Sequence, residues 1–163
     1  MSSPSWKALA NNQSWIKFSD TKAGTLIAID GVLGAAIIHI LPQWNSEGKD
    51  IVAMWMLLAA AVSLFLSLSC AIISLTPITK HGAPKSVIFF GDIYARFRDD
   101  LTGFKNEFQK QVKADPDLLD DVLSQVWATS RIASVKFRLV KYSVESFGIA
   151  LTLAGIAAVI IKI

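Results

Sequence analysis

The segment from Ile51 to Leu75 constrains the fold most strongly, because it has twenty-five residues without a charge, a proline or a glycine. An α-helix rises about 1.5 Å per residue and the hydrocarbon core of a bilayer is about 30 Å thick, so about twenty apolar residues cross it. A water-soluble domain of 163 residues is not expected to bury a helix that is apolar on every side. The segment therefore predicts a transmembrane helix, and the chain is predicted to be a membrane protein.

Two further segments are apolar enough to cross a bilayer. Residues 25–41 form a run of seventeen residues that ends before Pro42, and the helix that carries it is predicted to begin near residues 12–14. Residues 142–161 form a run of twenty residues with one acid, Glu145. The predicted fold is an all-α membrane protein with an N-terminal helical hairpin and one C-terminal span. Its transmembrane helices are placed at 25–41, 51–75 and 142–161.

The basic residues are distributed unevenly among the connecting segments. The turn at 42–50 has one lysine against two acids, whereas residues 79–141 contain eleven lysines and arginines. Residues 1–24 contain three lysines against one acid. Because connecting segments rich in Lys and Arg stay in the cytoplasm, the N-terminal segment and residues 79–141 are predicted to be cytoplasmic, with the turn outside.

Residues 79–141 are predicted to form a cytoplasmic helical hairpin. Asp115 followed by Pro116 is typical of a helix start. With no breaker before Gly148, this second helix is predicted to run without interruption into the third span. The first helix is predicted from Ser86 onward by an apolar stripe at steps of three and four. The stripe consists of Ile93, Phe97, Leu101, Phe104, Phe108 and Val112.

A few polar and small residues inside the predicted spans are candidates for gating or for helix packing. Asp30 lies within the first span, where a bare carboxylate costs several kcal/mol. It is either a pore-lining or gating group or a hydrogen-bonded acid that joins helices. Gly31 and Ala35, four residues apart, allow another helix to approach closely. Glu145 lies one turn from Lys141, so that an ion pair is available.

The chain carries no motif of an enzyme or a metal site. It contains no Gly-rich phosphate loop, no nucleophile motif and no metal-ligand spacing, and its single cysteine, Cys70, excludes a disulfide framework. No catalytic residue and no metal ligand is therefore predicted. The basic residues near the third span either contact anionic headgroups or form a phosphate site. They are Arg131, Lys136, Arg138 and Lys141.

Three short strings resemble a known family. They are Asp20-Thr21-Lys22-Ala23, Phe89-Phe90-Gly91-Asp92-Ile93, and Ser130-Arg131-Ile132-Ala133 with Lys136-Phe137. Together they resemble the Pycsar effector transmembrane family of bacterial antiphage proteins. The resemblance implies an effector in the bacterial inner membrane that senses cyclic CMP or cyclic UMP made by a partner cyclase on infection. Membrane integrity would then fail, which stops phage replication by abortive infection. The implied partners are the bilayer, the cyclic pyrimidine nucleotide and further copies of the chain, with no nucleic acid polymer and no other cofactor.

A cyclic nucleotide needs cations for its phosphate and an aromatic surface for its base. The candidates for the phosphate are Arg96, Arg98, Arg131 and Lys136, and those for the base are Phe89, Phe90 and Tyr94. A rearranged hairpin would pull on the continuous helix 116–161 and separate the spans. Three helices enclose no aqueous path alone, so a pore requires an oligomer. The alternative function is a non-catalytic membrane scaffold or subunit whose cytoplasmic hairpin docks a partner protein.

Overall fold

A computed structural model describes residues 3–40, 51–77 and 86–162. Over these ranges the chain forms five α-helices and no strand. The helices are α1 (Pro4–Ile40), α2 (Ile51–Leu75), α3 (Phe90–Phe97), α4 (Leu101–Ala114) and α5 (Leu119–Lys162). Among them α1, α2 and α5 are long and apolar enough to cross a membrane, which agrees with the three predicted spans. The predicted turn at 42–50 lies outside the described residues.

The first helix begins earlier than the sequence predicted. It starts at Pro4 rather than near residues 12–14, and proline is favoured at this position because the first helical N–H groups have no partner within the helix. The prediction was wrong because the apolar run marks only the part of the helix that crosses lipid, whereas the helix also extends into a separate core that buries Leu9. The bounds of α2, Ile51–Leu75, match the predicted second span.

The stripe that predicted one helix after Ser86 is divided between α3 and α4. Arg98 has a positive φ of 40°, which ends α3, and Asp100 begins α4 by accepting a hydrogen bond from the Gly103 N–H at 2.8 Å. An aspartate at this N-cap position accepts a hydrogen bond from a backbone N–H that has no acceptor within the helix. The prediction of a single helix was therefore wrong, although the rings of Phe97 and Phe104 still meet across the break with centroids 5.5 Å apart.

The last helix is unbroken over 44 residues, which confirms the prediction of a continuous helix into the third span. It begins at Leu119 rather than at Pro116, because residues 116–117 form a turn and Leu118 has a φ of 49°. Asp115 still caps the start of the helix, since its carboxylate accepts from the N–H groups of Asp117 and Leu119. Gly148 does not interrupt the helix.

The chain divides into two compact units. The charged unit consists of residues 1–17 and 77–134, and the apolar unit of residues 18–76 and 135–163. The core of the charged unit joins α1, α4 and α5 with the segment before α3, whereas Leu101 of the α4 stripe and Leu119, Leu123 and Trp127 of the α5 stripe are exposed. The buried members are Leu9, Val87, Leu118 and Val122, with Phe108, Val112 and Val126 packed against them.

The contacts of the apolar unit are made mainly by small residues. Six alanines in this unit have no exposed surface, namely Ala23, Ala53, Ala60, Ala71, Ala150 and Ala157. Large apolar side chains such as Val32, Phe65 and Val159 point outward instead. This arrangement is typical of helices in lipid, where association depends on close packing because lipid tails are as apolar as the side chains.

Candidate functional site

The Asp20-Thr21-Lys22-Ala23 string lies where three helices of the apolar unit meet. The Lys136 ammonium on α5 is 2.5 Å from Oδ1 of Asp20 on α1 and donates to the Ser74 carbonyl on α2 at 2.8 Å. The Lys136 side chain is 6% exposed and that of Asp20 is 38% exposed. A buried ammonium needs hydrogen-bond acceptors and an opposite charge nearby. Asp20 supplies the opposite charge and one acceptor, and the Ser74 carbonyl supplies a second acceptor.

A second polar contact joins the same three helices. The Ser67 hydroxyl on α2 donates to Oδ2 of Asp30 on α1 at 2.9 Å, and it lies 3.0 Å from the Ser143 hydroxyl on α5. Asp30 is 2% exposed, and Ser67 and Ser143 have no exposed surface. The structure therefore places the Asp30 carboxylate in a hydrogen-bonded contact between helices, and its role in gating stays a prediction.

The Phe89-Phe90-Gly91-Asp92-Ile93 string forms the start of α3 and the segment leading into it. Asp92 accepts the backbone N–H of Ser86 at 3.0 Å, and Asp121 on α5 accepts the N–H of Val87 at 2.9 Å. Ser86 and Val87 are buried, so their N–H groups need such acceptors. A Cβ on Gly91 would lie 2.7 Å from the Phe89 ring, so glycine lets this ring fold over the first turn. The string is therefore a local structural motif that fixes the entry to α3.

The aromatic residues predicted to contact a base lie at this entry. Phe90 and Tyr94, one turn apart on α3, are each 71% exposed. The Phe89 ring is half-buried and packs on Phe90, with ring centroids 4.8 Å apart. The structure thus places two of the candidate rings on α3 and the third directly before it, and the rings of Phe90 and Tyr94 are open to a ligand.

The predicted phosphate-binding cations fall into three environments. Arg96 lies near Glu107, with Nη2 3.8 Å from Oε1, and its guanidinium carbon is 5.0 Å from the Phe97 ring centroid. Arg98 and Arg131 are exposed, and neither has an acidic partner within the part of the chain that the structure describes. Lys136 belongs to the apolar unit and is held by Asp20 and Ser74. Arg96 and Arg98 therefore lie beside the aromatic candidates in sequence, whereas Lys136 already binds protein oxygens.

The small residues predicted for helix packing face outward within the single chain. Gly31 and Ala35 are exposed and line an outward groove of about 440 Å³ between α1 and α2, together with Gly34, Phe65 and Leu68. The predicted ion pair between Glu145 and Lys141 is present, with 3.7 Å between the charged atoms. Among the described residues, no group of three or more His, Cys, Asp and Glu side chains could hold a metal ion.

Sequence reasoning missed a polar contact in the charged unit. The Asn12 side-chain amide on α1 donates to the Val126 carbonyl at 3.0 Å and to the Ser130 hydroxyl at 2.7 Å on α5. Trp6 adds a bond to the Asp117 carbonyl at 3.2 Å. The signal was weak, because a single asparagine in a polar segment resembles ordinary surface. The serines at 67 and 143 were missed for a related reason, since an isolated serine is common in a transmembrane helix.

Comparison with known families decides the assignment. Residues 4–161 match the family described as Pycsar effector protein domain. The chain belongs to the Pycsar effector transmembrane family. It is also 26% identical over 135 residues to the Pycsar effector protein PtPycTM of Propioniciclava tarda, a match that covers 81% of this chain. The chain spans 66% of that relative's length. No solved structure matches this chain. Membership of this family and the three long apolar helices identify a membrane protein of an antiphage effector family.

Proposed function

We propose that this protein is an antiphage effector that impairs the inner membrane when a cyclic pyrimidine nucleotide binds its charged unit. The observation that carries the proposal is the family match, which extends over residues 4–161 and so includes both units. The proposed orientation places the N-terminus and the charged unit in the cytoplasm, as the distribution of Lys and Arg favours. The proposed ligand is cyclic CMP or cyclic UMP, and the outcome is abortive infection.

The proposed ligand site lies on α3 and at its C-terminal end. Phe90 and Tyr94 offer exposed rings on which a pyrimidine can stack, and base–aromatic stacking is worth about 1–3 kcal/mol. Arg98 follows the last residue of α3 and is exposed, so its guanidinium can bind the negatively charged phosphate of the nucleotide. Its positive φ is disfavoured for a residue with a Cβ, and such strain is common where a ligand is bound. Arg96 and Arg131 are the further proposed cations.

Two continuous helices connect the charged unit, which holds the proposed ligand site, to the apolar unit. Both α1 and α5 begin in the charged unit and continue without interruption in the apolar unit. A ligand changes a conformational equilibrium only through different affinities for its states. We propose that the bound nucleotide favours a state in which α1 and α5 shift, so that the polar contacts of Asp20 with Lys136 and of Asp30 with Ser67 are rearranged. Because three helices enclose no aqueous path, the damaging state is proposed to contain several copies.

Dye release from liposomes tests the proposal. The purified protein is reconstituted into vesicles loaded with a self-quenching dye, and cyclic CMP, cyclic UMP, cyclic AMP and cyclic GMP are added separately. We expect release with a cyclic pyrimidine nucleotide and none with cyclic purine nucleotides or with linear CMP and UMP. Release that does not depend on the nucleotide, or no release with any of them, would contradict the proposal. Binding of a partner protein without any release would favour the scaffold function instead.

A further inference from the structure

The Lys136 ammonium does more than pair with Asp20, because it also completes the end of α2. Ser74 lies in the last turn of α2, where backbone carbonyls have no N–H partner within the helix. This turn contains no basic side chain of its own, although cations are favoured at the C-terminus of a helix. Lys136 on α5 supplies that cation and donates to the Ser74 carbonyl at 2.8 Å. One side chain therefore joins α5 to both α1 and α2, and we call its two contacts the Lys136 latch.

Two serine hydroxyls next to the Lys136 latch in the chain have no hydrogen-bond partner. The Oγ atoms of Ser19, which precedes Asp20, and of Ser74 are buried, and no polar atom of the described chain bonds to either. A buried hydroxyl without a partner raises the free energy of the state that buries it. The adjacent turn of each helix is apolar, with Ala23, Ala71 and Val140 in one cluster. The Lys136 latch therefore belongs to a polar layer whose hydrogen bonds are incomplete.

A buried ion pair is also a poor way to make a bundle as stable as it can be. Apolar side chains of similar volume in its place are often neutral or stabilising. Asp20 is already partly exposed, and the long, flexible stem of lysine can carry the Lys136 ammonium to water. Asp20, Ser74 and Lys136 also lie close to residues 18, 76 and 135, at which the chain enters or leaves the apolar unit. This polar layer is therefore suited to opening at the end of the three helices.

We propose that the Lys136 latch is an autoinhibitory contact that holds α1, α2 and α5 together at this end of the apolar unit in the resting protein. When the latch opens, the charges of Lys136 and Asp20 are separately solvated. The hydroxyls of Ser19 and Ser74 then gain water as a partner, which offsets part of the lost ion pair. Because the open state lies close to the closed one in free energy, a ligand needs only a modest difference in affinity to favour it.

This inference deepens the proposed function, because it assigns the resting state to one contact, and it rests on that function for the trigger alone. Variants that open or close the Lys136 latch act without any nucleotide. The latch is therefore tested in the absence of ligand, and its failure is distinct from failure of nucleotide-triggered release in the unmodified protein.

Thiol labelling of open membrane fragments with a water-soluble maleimide tests whether the layer opens. Cys70, the single cysteine, is replaced by serine, and Ser74→Cys reports the entry of solvent at a buried position. The controls are Gln109→Cys, which is exposed, and Ala128→Cys, which is buried in the charged unit. We expect Asp20→Asn to raise the labelling rate of Ser74→Cys roughly tenfold or more, because a buried charge without its partner favours the state in which it is solvated. No increase, or an equal increase at Ala128→Cys, would overturn the proposal, since the latter indicates unfolding of the whole chain.

Dye release from liposomes without nucleotide tests autoinhibition. We expect Asp20→Asn to release dye roughly tenfold faster than the unmodified protein, whereas Asp120→Asn, the same change at an exposed aspartate on α5, should not. Lys136→Gln removes the charge, and its amide can still donate to the Ser74 carbonyl. Added to Asp20→Asn, it leaves no buried charge to be solvated, so we expect both the labelling and the release to return close to the unmodified rates. Faster release in the double variant than in Asp20→Asn alone, or no release from Asp20→Asn without nucleotide, would overturn the proposal.

Discussion

The ammonium nitrogen of Lys136 lies 2.5 Å from a carboxylate oxygen of Asp20, so that a buried charge on α5 depends on a partly exposed one on α1. Both residues belong to the short strings by which the sequence resembles its family. The ion pair, with the Ser74 carbonyl as a further acceptor, gives these residues a structural role that is separate from ligand binding.

Asp20→Asn is expected to destabilise the protein by about 2 kcal/mol, because it leaves the Lys136 ammonium without a counter-charge while solvent at Asp20 screens part of the loss. Lys136→Met removes the buried charge itself and should cost less than Asp20→Asn. The double variant is expected to be more stable than the sum of the two single changes predicts. Thermal unfolding in detergent, followed by tryptophan fluorescence, measures all three. Strict additivity would show that the two side chains do not interact.

Asp30→Asn separates the two roles suggested for this acid. Asparagine retains an oxygen that can accept the Ser67 hydroxyl, and an interhelical hydrogen bond in a membrane is worth only about 0.6 kcal/mol on average. We expect the unfolding midpoint and the nucleotide-triggered dye release to stay close to those of the unmodified protein. Asp30→Leu, which removes every acceptor, should lower the midpoint. Loss of triggered release in Asp30→Asn with an unchanged midpoint would instead establish a gating role.

Gly34 and Gly31 form a matched pair on α1. A Cβ on Gly34 would lie 3.3 Å from Leu64 Cδ2, whereas one on Gly31 would meet nothing within 4 Å. Gly34→Leu is therefore expected to cost about 1–3 kcal/mol through overpacking against α2, and Gly31→Leu should leave the unfolding midpoint unchanged or raise it. If Gly31→Leu instead abolished assembly in membranes, the groove between α1 and α2 would be a contact between copies.

Asn12 and its neighbour Asn11 provide a similar comparison in the charged unit. Asn12→Ala removes the hydrogen bonds of the amide to α5 and is expected to cost about 0.5–1.5 kcal/mol, the net worth of an ordinary hydrogen bond, because the Val126 carbonyl still accepts from the Ser130 hydroxyl. Asn11 is exposed, so Asn11→Ala should change stability by less than about 0.5 kcal/mol. The unfolding midpoints of the two variants measure the difference. Equal midpoints would mean that the Asn12 contacts add nothing to stability.

Arg98→Ala and Tyr94→Ala are expected to raise the nucleotide concentration needed for half-maximal dye release. A hydrogen bond to a charged group is worth about 1.5–3 kcal/mol, so the increase for Arg98→Ala should be roughly tenfold to a hundredfold. Lys110→Ala, which removes an exposed cation on α4, is the control and should have little effect. Unchanged sensitivity in both α3 variants would place the nucleotide elsewhere.

The long apolar elements were predictable from the sequence because length and hydropathy are properties of a single segment. The bounds of α2 and the continuity of α5 followed from these properties alone. The break between α3 and α4 was not predicted, because the apolar stripe continues across it and only the backbone at Arg98 shows the turn.

The candidate site was predictable in part. Exposed aromatic and basic residues near Phe90 could be named from the sequence, whereas the partners of Asp20, Asp30 and Asn12 could not. Each of these contacts joins residues that are distant in the chain, and a single sequence carries no signal for such pairing. The environment of Lys136 illustrates the limit, since its basic side chain suggested a phosphate ligand but its neighbours are protein oxygens.

The alanines without exposed surface reverse the usual relation between side-chain size and tolerance to substitution. In a saturation mutagenesis of the apolar unit, the bulky outward residues such as Val32 and Phe65 should accept most apolar replacements. The small methyl groups of Ala60 and Ala150 should accept almost none, since any larger group would push two helices apart. Within this part of the chain, the smallest side chains are therefore the ones that selection is expected to hold most tightly.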